Sequence, residues 1–176
     1  MLLVCKICVY ETRCSGSTFF HSGISRPDPD LWLRGKDEVV DTTRPSAEVT
    51  IVVPFHDLDP MQIVWHGRYA QYFEVARCKL LEQIGYTYQD MQTSGYAWPI
   101  IDMRIQYVKP AHFNQHLVVR ATIKEYENRL KIRYEIRDAE SGTRITKGYT
   151  CQVAVRISDG SMLMSSPDVL LKKLGA

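Results

Sequence analysis

What this 176-residue chain has little of narrows its possibilities first. Its apolar runs are only a handful of residues long, far short of the ~20 that a membrane-spanning helix needs. It has no excess of one charge: 22 Lys and Arg face 20 Asp and Glu, and the formal net charge is +2. Nucleic-acid-binding domains usually show a pI above about 9 and a clustered basic stripe. Here the pI is near 8.2 and the signs alternate, which argues against nucleic acid as the main partner. The five cysteines form no disulfide framework, because Cys5, Cys8 and Cys14 crowd the start and leave Cys78 and Cys151 for the rest. A reducing, cytoplasmic location is the expectation. Internal repeats are absent as well. What remains, 45% apolar and 24% charged, is the composition of one folded domain.

Residues 1 to 46 lack any sustained period. Pro27, Pro29, Gly35 and Pro45 punctuate their second half, and such a stretch buries too little apolar surface to offset its ordering entropy. They are expected to be a poorly ordered extension, or the product of a start site placed too early. Lys6 interrupts the opening apolar residues and no basic segment precedes them, unlike a secretory leader. Cys5 and Cys8, with Cys14 and His21, lack the tight paired spacing of a structural zinc site. No metal or other cofactor is expected.

A regular pattern begins near residue 47 and defines the predicted domain, 47–176. Val49, Ile51 and Val53 alternate as in a strand that Pro54 ends. From Gly67, apolar residues fall at Tyr69, Tyr72, Phe73, Ala76, Leu80 and Ile84, the steps of three and four that mark a helix. Gly85 stands where a helix closes. Tyr88 to Thr93 reads as one further helical turn. The period then becomes two. Ile101, Met103, Ile105 and Tyr107 share one face. Leu117 to Ile123 and Leu130 to Ile136 make two more strands, with a turn near Asn128. A long fourth run, Ile145 to Ile157, follows Ser141-Gly142, and Pro167 opens a short terminal helix at its first position. One helix and one antiparallel sheet have only each other to bury against, so an α+β fold with the sheet wrapped on a central helix is predicted.

The densest chemistry lies between Phe55 and Glu74, where two carboxylates and two histidines sit in a loop that runs into a helix start. A helix N-terminus offers unpaired N–H groups and about half a positive charge. A carbonyl oxygen gaining negative charge would find donors there, and a nearby carboxylate can activate water or attack directly. Acyl transfer is the chemistry this pattern suits.

The ordered series Asp57, Asp59-Pro60, Ile63-Val64-Trp65-His66, Tyr69, Tyr72-Phe73-Glu74 and Ala76-Arg77, continued by Ile105 to Ala111, resembles the 4-hydroxybenzoyl-CoA thioesterase family of hotdog-fold acyl-CoA thioesterases. The likeness runs from about Val49 to Leu174. It implies a hotdog fold, a long central helix wrapped by a five-stranded antiparallel sheet. It also implies a homodimer or homotetramer with sites between subunits, and hydrolysis of acyl-CoA, or of an acyl carrier protein thioester, without a cofactor. The family's catalytic aspartate falls on Asp59. The position whose backbone N–H polarises the thioester carbonyl falls on His66. Two departures stand out: Gln62 replaces a common glycine, and Gln115 a common acidic residue.

Other readings of these residues exist. Asp-Pro by itself often only starts a turn. Asp57 is expected to hold the loop through hydrogen bonds. Glu74 is the alternative base, or an ion-pair partner of Arg77. With His66 it would make the couple of a hydratase or dehydratase, the first rival function. A non-catalytic acyl-thioester binder is the second. His56-Asp57 invites a metal-phosphohydrolase reading, but that fold is all-helical and this chain reads as mostly strand. Arg68, Arg104 and Lys109 are candidates for the coenzyme A phosphates. Tyr86, Tyr88, Trp98 and Met103 are candidates for the acyl pocket. Cys78 and Cys151 read as packing residues.

Overall fold

The computed structural model describes residues 44–175. Cys5, Cys8, Cys14 and His21, with nearly all of the expected extension, lie outside the described residues. In chain order the elements are β1 (Ser46–Val52), a 3-10 turn (Phe55–Asp57), α1 (Arg68–Gln83), α2 (Tyr88–Thr93), β2 (Tyr96–Ala97) and β3 (Ile100–Tyr107). Then come β4 (His116–Glu125), β5 (Leu130–Asp138), β6 (Arg144–Gln152), β7 (Val155–Arg156) and α3 (Asp168–Lys173). Five strands form one antiparallel sheet in the order β1-β4-β5-β6-β3, and β2 pairs with β7 in a separate ribbon. Among the described residues no helix is long and apolar enough to cross a membrane.

The helical spacing places Tyr69, Tyr72, Phe73, Ala76 and Leu80 on one face of α1, and all are buried. They meet Leu117, Val119, Ala121 and Ile123 of β4 and Leu130, Ile132, Tyr134 and Ile136 of β5, the inward-pointing alternate residues of two central strands. Full burial of each large apolar side chain contributes roughly 1.5–3 kcal/mol, so this one interface is the main stabilising contact. The helix ends as Gly85 predicts. With φ at 65°, Gly85 turns the chain so that its N–H reaches Glu82 O (3.0 Å) and the Tyr86 N–H reaches Leu81 O (2.9 Å), a double closure of the last turn.

Two strands differ from the sequence reading. The long fourth run stops at Gln152, and Val155–Arg156 leaves the sheet to pair with Tyr96–Ala97. Within β6, moreover, the face toward the helix is not the Ile145-to-Cys151 series. Register with β5 puts Thr146, Gly148, Thr150 and Gln152 on the inner side, opposite Ile136, Tyr134, Ile132 and Leu130. The cause is steric. Phe73 stacks on Tyr134 with centroids 4.4 Å apart and planes 8° apart, and only glycine leaves room for its ring on β6.

Strand β3 is the second departure. Met103, Ile105 and Tyr107 do share a face, but a bulge between Ile100 and Asp102 puts Ile101 out of that series. Nearly the whole strand is exposed, with Ile101 at 58% and Tyr107 at 48%. β3 pairs with β6 on one side and has no strand on its other edge among the described residues. In α3, Pro167 is the N-cap rather than the first helical residue.

A Cβ at residue 148 would collide with the Arg104 carbonyl and lie 2.8 Å from the Phe73 ring. Gly148→Ala is therefore expected to destabilise the fold by about 1–3 kcal/mol, the usual range for overpacking, read as a lowered denaturation midpoint with an unchanged slope.

Candidate active site

The loop from Pro54 to Gly67 is fixed by one buried charge. Asp57 is 5% exposed, and its Oδ2 accepts a hydrogen bond from the Tyr72 hydroxyl at 2.7 Å. Its Oδ1 faces Arg68 Nε at 3.1 Å, and its carbonyl accepts the Trp65 N–H at 2.9 Å. Burying an unpaired carboxylate is prohibitively costly, so these partners are what make the position tenable. Burial, then the Asp57 hydrogen bond and charge, push the Tyr72 phenol well above its ordinary range. Asp57 thus holds the loop to the first two turns of α1, the role expected of it. Arg68 is committed to Asp57 and Gln71 rather than left for phosphate.

Asp59 sits in a self-contained turn. Its carbonyl accepts the Gln62 N–H at 2.9 Å, and its N–H donates to Ile63 O at 2.9 Å. Its Oδ1 accepts the N–H groups of Met61 (2.8 Å) and Ile63 (3.4 Å), whereas Oδ2 has no hydrogen-bond partner among the described residues. One oxygen is held by the backbone and the other is unclaimed among the described residues. Gln62 closes this turn with φ at 61°, the left-handed region that glycine enters freely, which accounts for glycine being common here in the resembling family.

Helix α1 begins without a cap. Gly67 occupies the N-cap with no side-chain hydrogen bond, and no acidic residue lies in the first turn. The N–H groups of His66 and Gly67 have no acceptor among the described residues. The His66 carbonyl accepts the Tyr107 hydroxyl at 2.9 Å, and the Tyr107 ring lies edge-on to Tyr69 at 5.3 Å, so the edge strand holds the peptide that opens the helix. The Tyr69 phenol is raised mainly by burial, with the negative charge of Asp59 adding to it. The imidazole of His66 is exposed and lies against Trp65.

The other candidates separate from this group. Glu74 is bound by Arg77, by the Tyr88 hydroxyl and weakly by the Cys78 thiol. Burial raises its carboxyl, but these hydrogen bonds and the Arg77 charge outweigh it and leave the group below its usual range. A carboxylate so held is a poor base, and it has no hydrogen bond to His66. Burial raises the Cys78 thiol, and Cys151 is buried, so both behave as packing residues. Tyr86 and Trp98 are core residues joined by Trp98 Nε1 to the Tyr86 hydroxyl at 3.2 Å, whereas Tyr88 and Met103 are exposed. Arg104 and Lys109 are exposed and form no ion pair among the described residues. Gln115 accepts the His112 N–H at 3.0 Å and donates to Asp138 Oδ2 at 2.7 Å. No group of three or more His, Cys, Asp or Glu among the described residues could hold a metal ion. Sequence reasoning missed Tyr72 and Tyr107 as site-building residues, reading both as parts of apolar faces. The signal for Tyr72 was the hydroxyl group on a core-facing ring, which must find a partner when buried, whereas Tyr107 is half exposed and gave no such signal.

The sequence profile of the thioesterase-like superfamily matches residues 53–174, which takes in the whole loop, α1 and all but the first strand of the sheet. The chain belongs to the thioesterase-like superfamily. The five-stranded sheet around α1 is the superfamily's hotdog fold. Among curated thioesterase-like relatives, YneP of Bacillus subtilis, assigned as an acyl-CoA thioesterase, is 37% identical over 76 residues. That match covers 43% of this chain and 55% of YneP, little more than half of that relative. The protein sll0410 of Synechocystis sp., assigned as an esterase, is 26% identical over 84% of this chain and 90% of its own length. Of solved superfamily structures, the DHNA-CoA thioesterase of Staphylococcus aureus is 27% identical with a TM-score of 0.63, covering 68% of this chain and 80% of that one.

Because the Glu74 carboxyl is lowered in the folded protein, its contribution to stability is present above the unfolded carboxylate value, near 4.3. It is lost as pH falls through the folded value. Glu74→Gln is expected to melt below wild type at pH 7, and the gap between the two melting temperatures should close as the pH drops below about 4.

Proposed function

We propose that this chain is an acyl-CoA thioesterase in which Asp59 is the base or nucleophile and the backbone N–H of His66 stabilises the oxyanion. The observation that carries this reading is that one loop holds both a half-held carboxylate, with Asp59 Oδ2 unclaimed, and the approach to an uncapped helix start whose first N–H groups have no acceptor among the described residues. Water adds to the thioester carbonyl as Asp59 takes its proton, or Asp59 attacks first and water cleaves the resulting anhydride. Negative charge gathers on the carbonyl oxygen at the His66 N–H, the C–S bond breaks, and the thiolate leaves. The free acid and coenzyme A are the products. Donors set in advance at the helix dipole's positive end stabilise that charge without reorganisation.

The open edge of β3 supports a homodimer or homotetramer joined there, with Tyr107 linking the interface to the His66 peptide. We place the activity in residues 47–176 and the protein in the reducing cytoplasm, in keeping with free Cys78 and Cys151. The hydratase alternative needs Glu74 free to act with His66, and its hydrogen bonds to Arg77 and Tyr88 weigh against that.

The test is a thiol-release screen across short, long and aromatic acyl-CoAs with two variants. Asp59→Asn is expected to lower kcat at least ~100-fold. Asp57→Asn is expected to lower the melting temperature more than it lowers kcat. A folded Asp59→Asn protein with near-normal turnover overturns the assignment. In the same preparation, Met103→Glu on the open edge should shift the oligomer toward monomer in sedimentation, since like charges meeting across a two-fold contact repel.

A further inference from the structure

Gln62 holds a backbone conformation that favours glycine, in the turn that carries Asp59. Its N–H closes that turn, but its side chain is exposed, and the carboxamide has no hydrogen-bond partner among the described residues. Neither the turn nor the orientation of Asp59 needs a side chain here, because every bond that fixes them is made by backbone groups or by Asp59 itself. A non-glycine residue held at a strained position beside a reacting group calls for a use of its side chain.

We propose that Gln62 is a substrate-binding residue that hydrogen-bonds the first amide of the pantetheine arm, the one next to the thioester sulfur. This rests on the thioesterase reading and adds a subsite to it. Every coenzyme A or carrier-protein thioester has that amide two methylenes from sulfur. A turn of four residues keeps its first and last Cα atoms within about 7 Å, so the Gln62 carboxamide is within reach of a group that far from the carbon Asp59 serves. The chemistry matches too. A secondary amide offers one donor and one acceptor, and a carboxamide supplies the complement to both. A charged side chain would match only one of them, and at this position it would add its charge beside Asp59.

The test compares two thioesters of the same acid, with butyryl and benzoyl as the acyl groups. The N-acetylcysteamine thioester contains the amide, and the pentyl thioester has the same length without it. Gln62→Gly relieves the left-handed backbone and should leave the melting temperature equal or higher. It is expected to raise KM for the N-acetylcysteamine thioester about fivefold, the factor for losing one ordinary hydrogen bond, while KM for the pentyl thioester and kcat for both stay within twofold. An unchanged KM for the amide-containing substrate, or equal changes for the two substrates, overturns the role of Gln62 and leaves thioester hydrolysis standing. Failure of the wild-type protein to release thiol from either thioester, or from the acyl-CoA panel, removes the thioesterase reading and this subsite with it.

Discussion

The buried Asp57 carboxylate is the constraint on which the rest of the site depends. A negative charge with almost no solvent contact needs opposing charge and donors in fixed places, and Arg68 and Tyr72 supply them from the first two turns of α1. The loop cannot move from the helix without stranding that charge. Once Asp57 is fixed, its carbonyl fixes Trp65, and the intervening residues fold back so that Asp59 and Ile63 exchange hydrogen bonds. The acid proposed to react is thus positioned by a second acid that does not.

Strand β3 carries two demands at once. Its exposed Ile101 and Tyr107 and its unpaired edge are features of a surface awaiting another chain, which natural proteins seldom leave bare. The same strand sends the Tyr107 hydroxyl to the His66 carbonyl, at the peptide that opens α1. Contact at the edge and geometry at the helix start are therefore separated by one side chain. The Tyr107 hydroxyl thus fixes the His66–Gly67 peptide, one unit along the chain from the N–H proposed as the donor.

Much of this was legible in the residues. Period-three-and-four spacing located α1 and its buried face, Gly85 marked its end, and the alternation in β4 and β5 identified the core they form. The loop's chemistry, and the likeness it carries, drew attention to Asp59 and His66. Reading failed where local pattern and three-dimensional packing disagree. In β6 the series opposite the core residues of β5 is Thr146, Gly148, Thr150 and Gln152 rather than the more apolar alternate one, whose end residues Ile145 and Cys151 are buried all the same; the Phe73 ring occupies the space above Gly148, and no single strand's sequence records a ring supplied by a helix. In β3 the alternation was real, but exposure depends on which strands lie alongside, and topology rather than pattern puts β3 at the edge. Tyr72 and Tyr107 were read as apolar because their rings are. The hydroxyls became informative only when Asp57 and the His66 carbonyl appeared opposite them.

The bond between Gln115 and Asp138 accounts for an amide at residue 115. The amide nitrogen of Gln115 meets Asp138 Oδ2 at 2.7 Å while its oxygen receives the His112 N–H. Hydrogen bonds from Ser141, then Gln115, hold the Asp138 carboxyl down to about 2, so it remains an anion at any physiological pH. An acidic residue at 115 could still receive His112 but would set two anions oxygen to oxygen. Glutamine, with one acceptor for His112 and one donor for Asp138, joins the two loop ends in a way that a carboxylate at 115 would not.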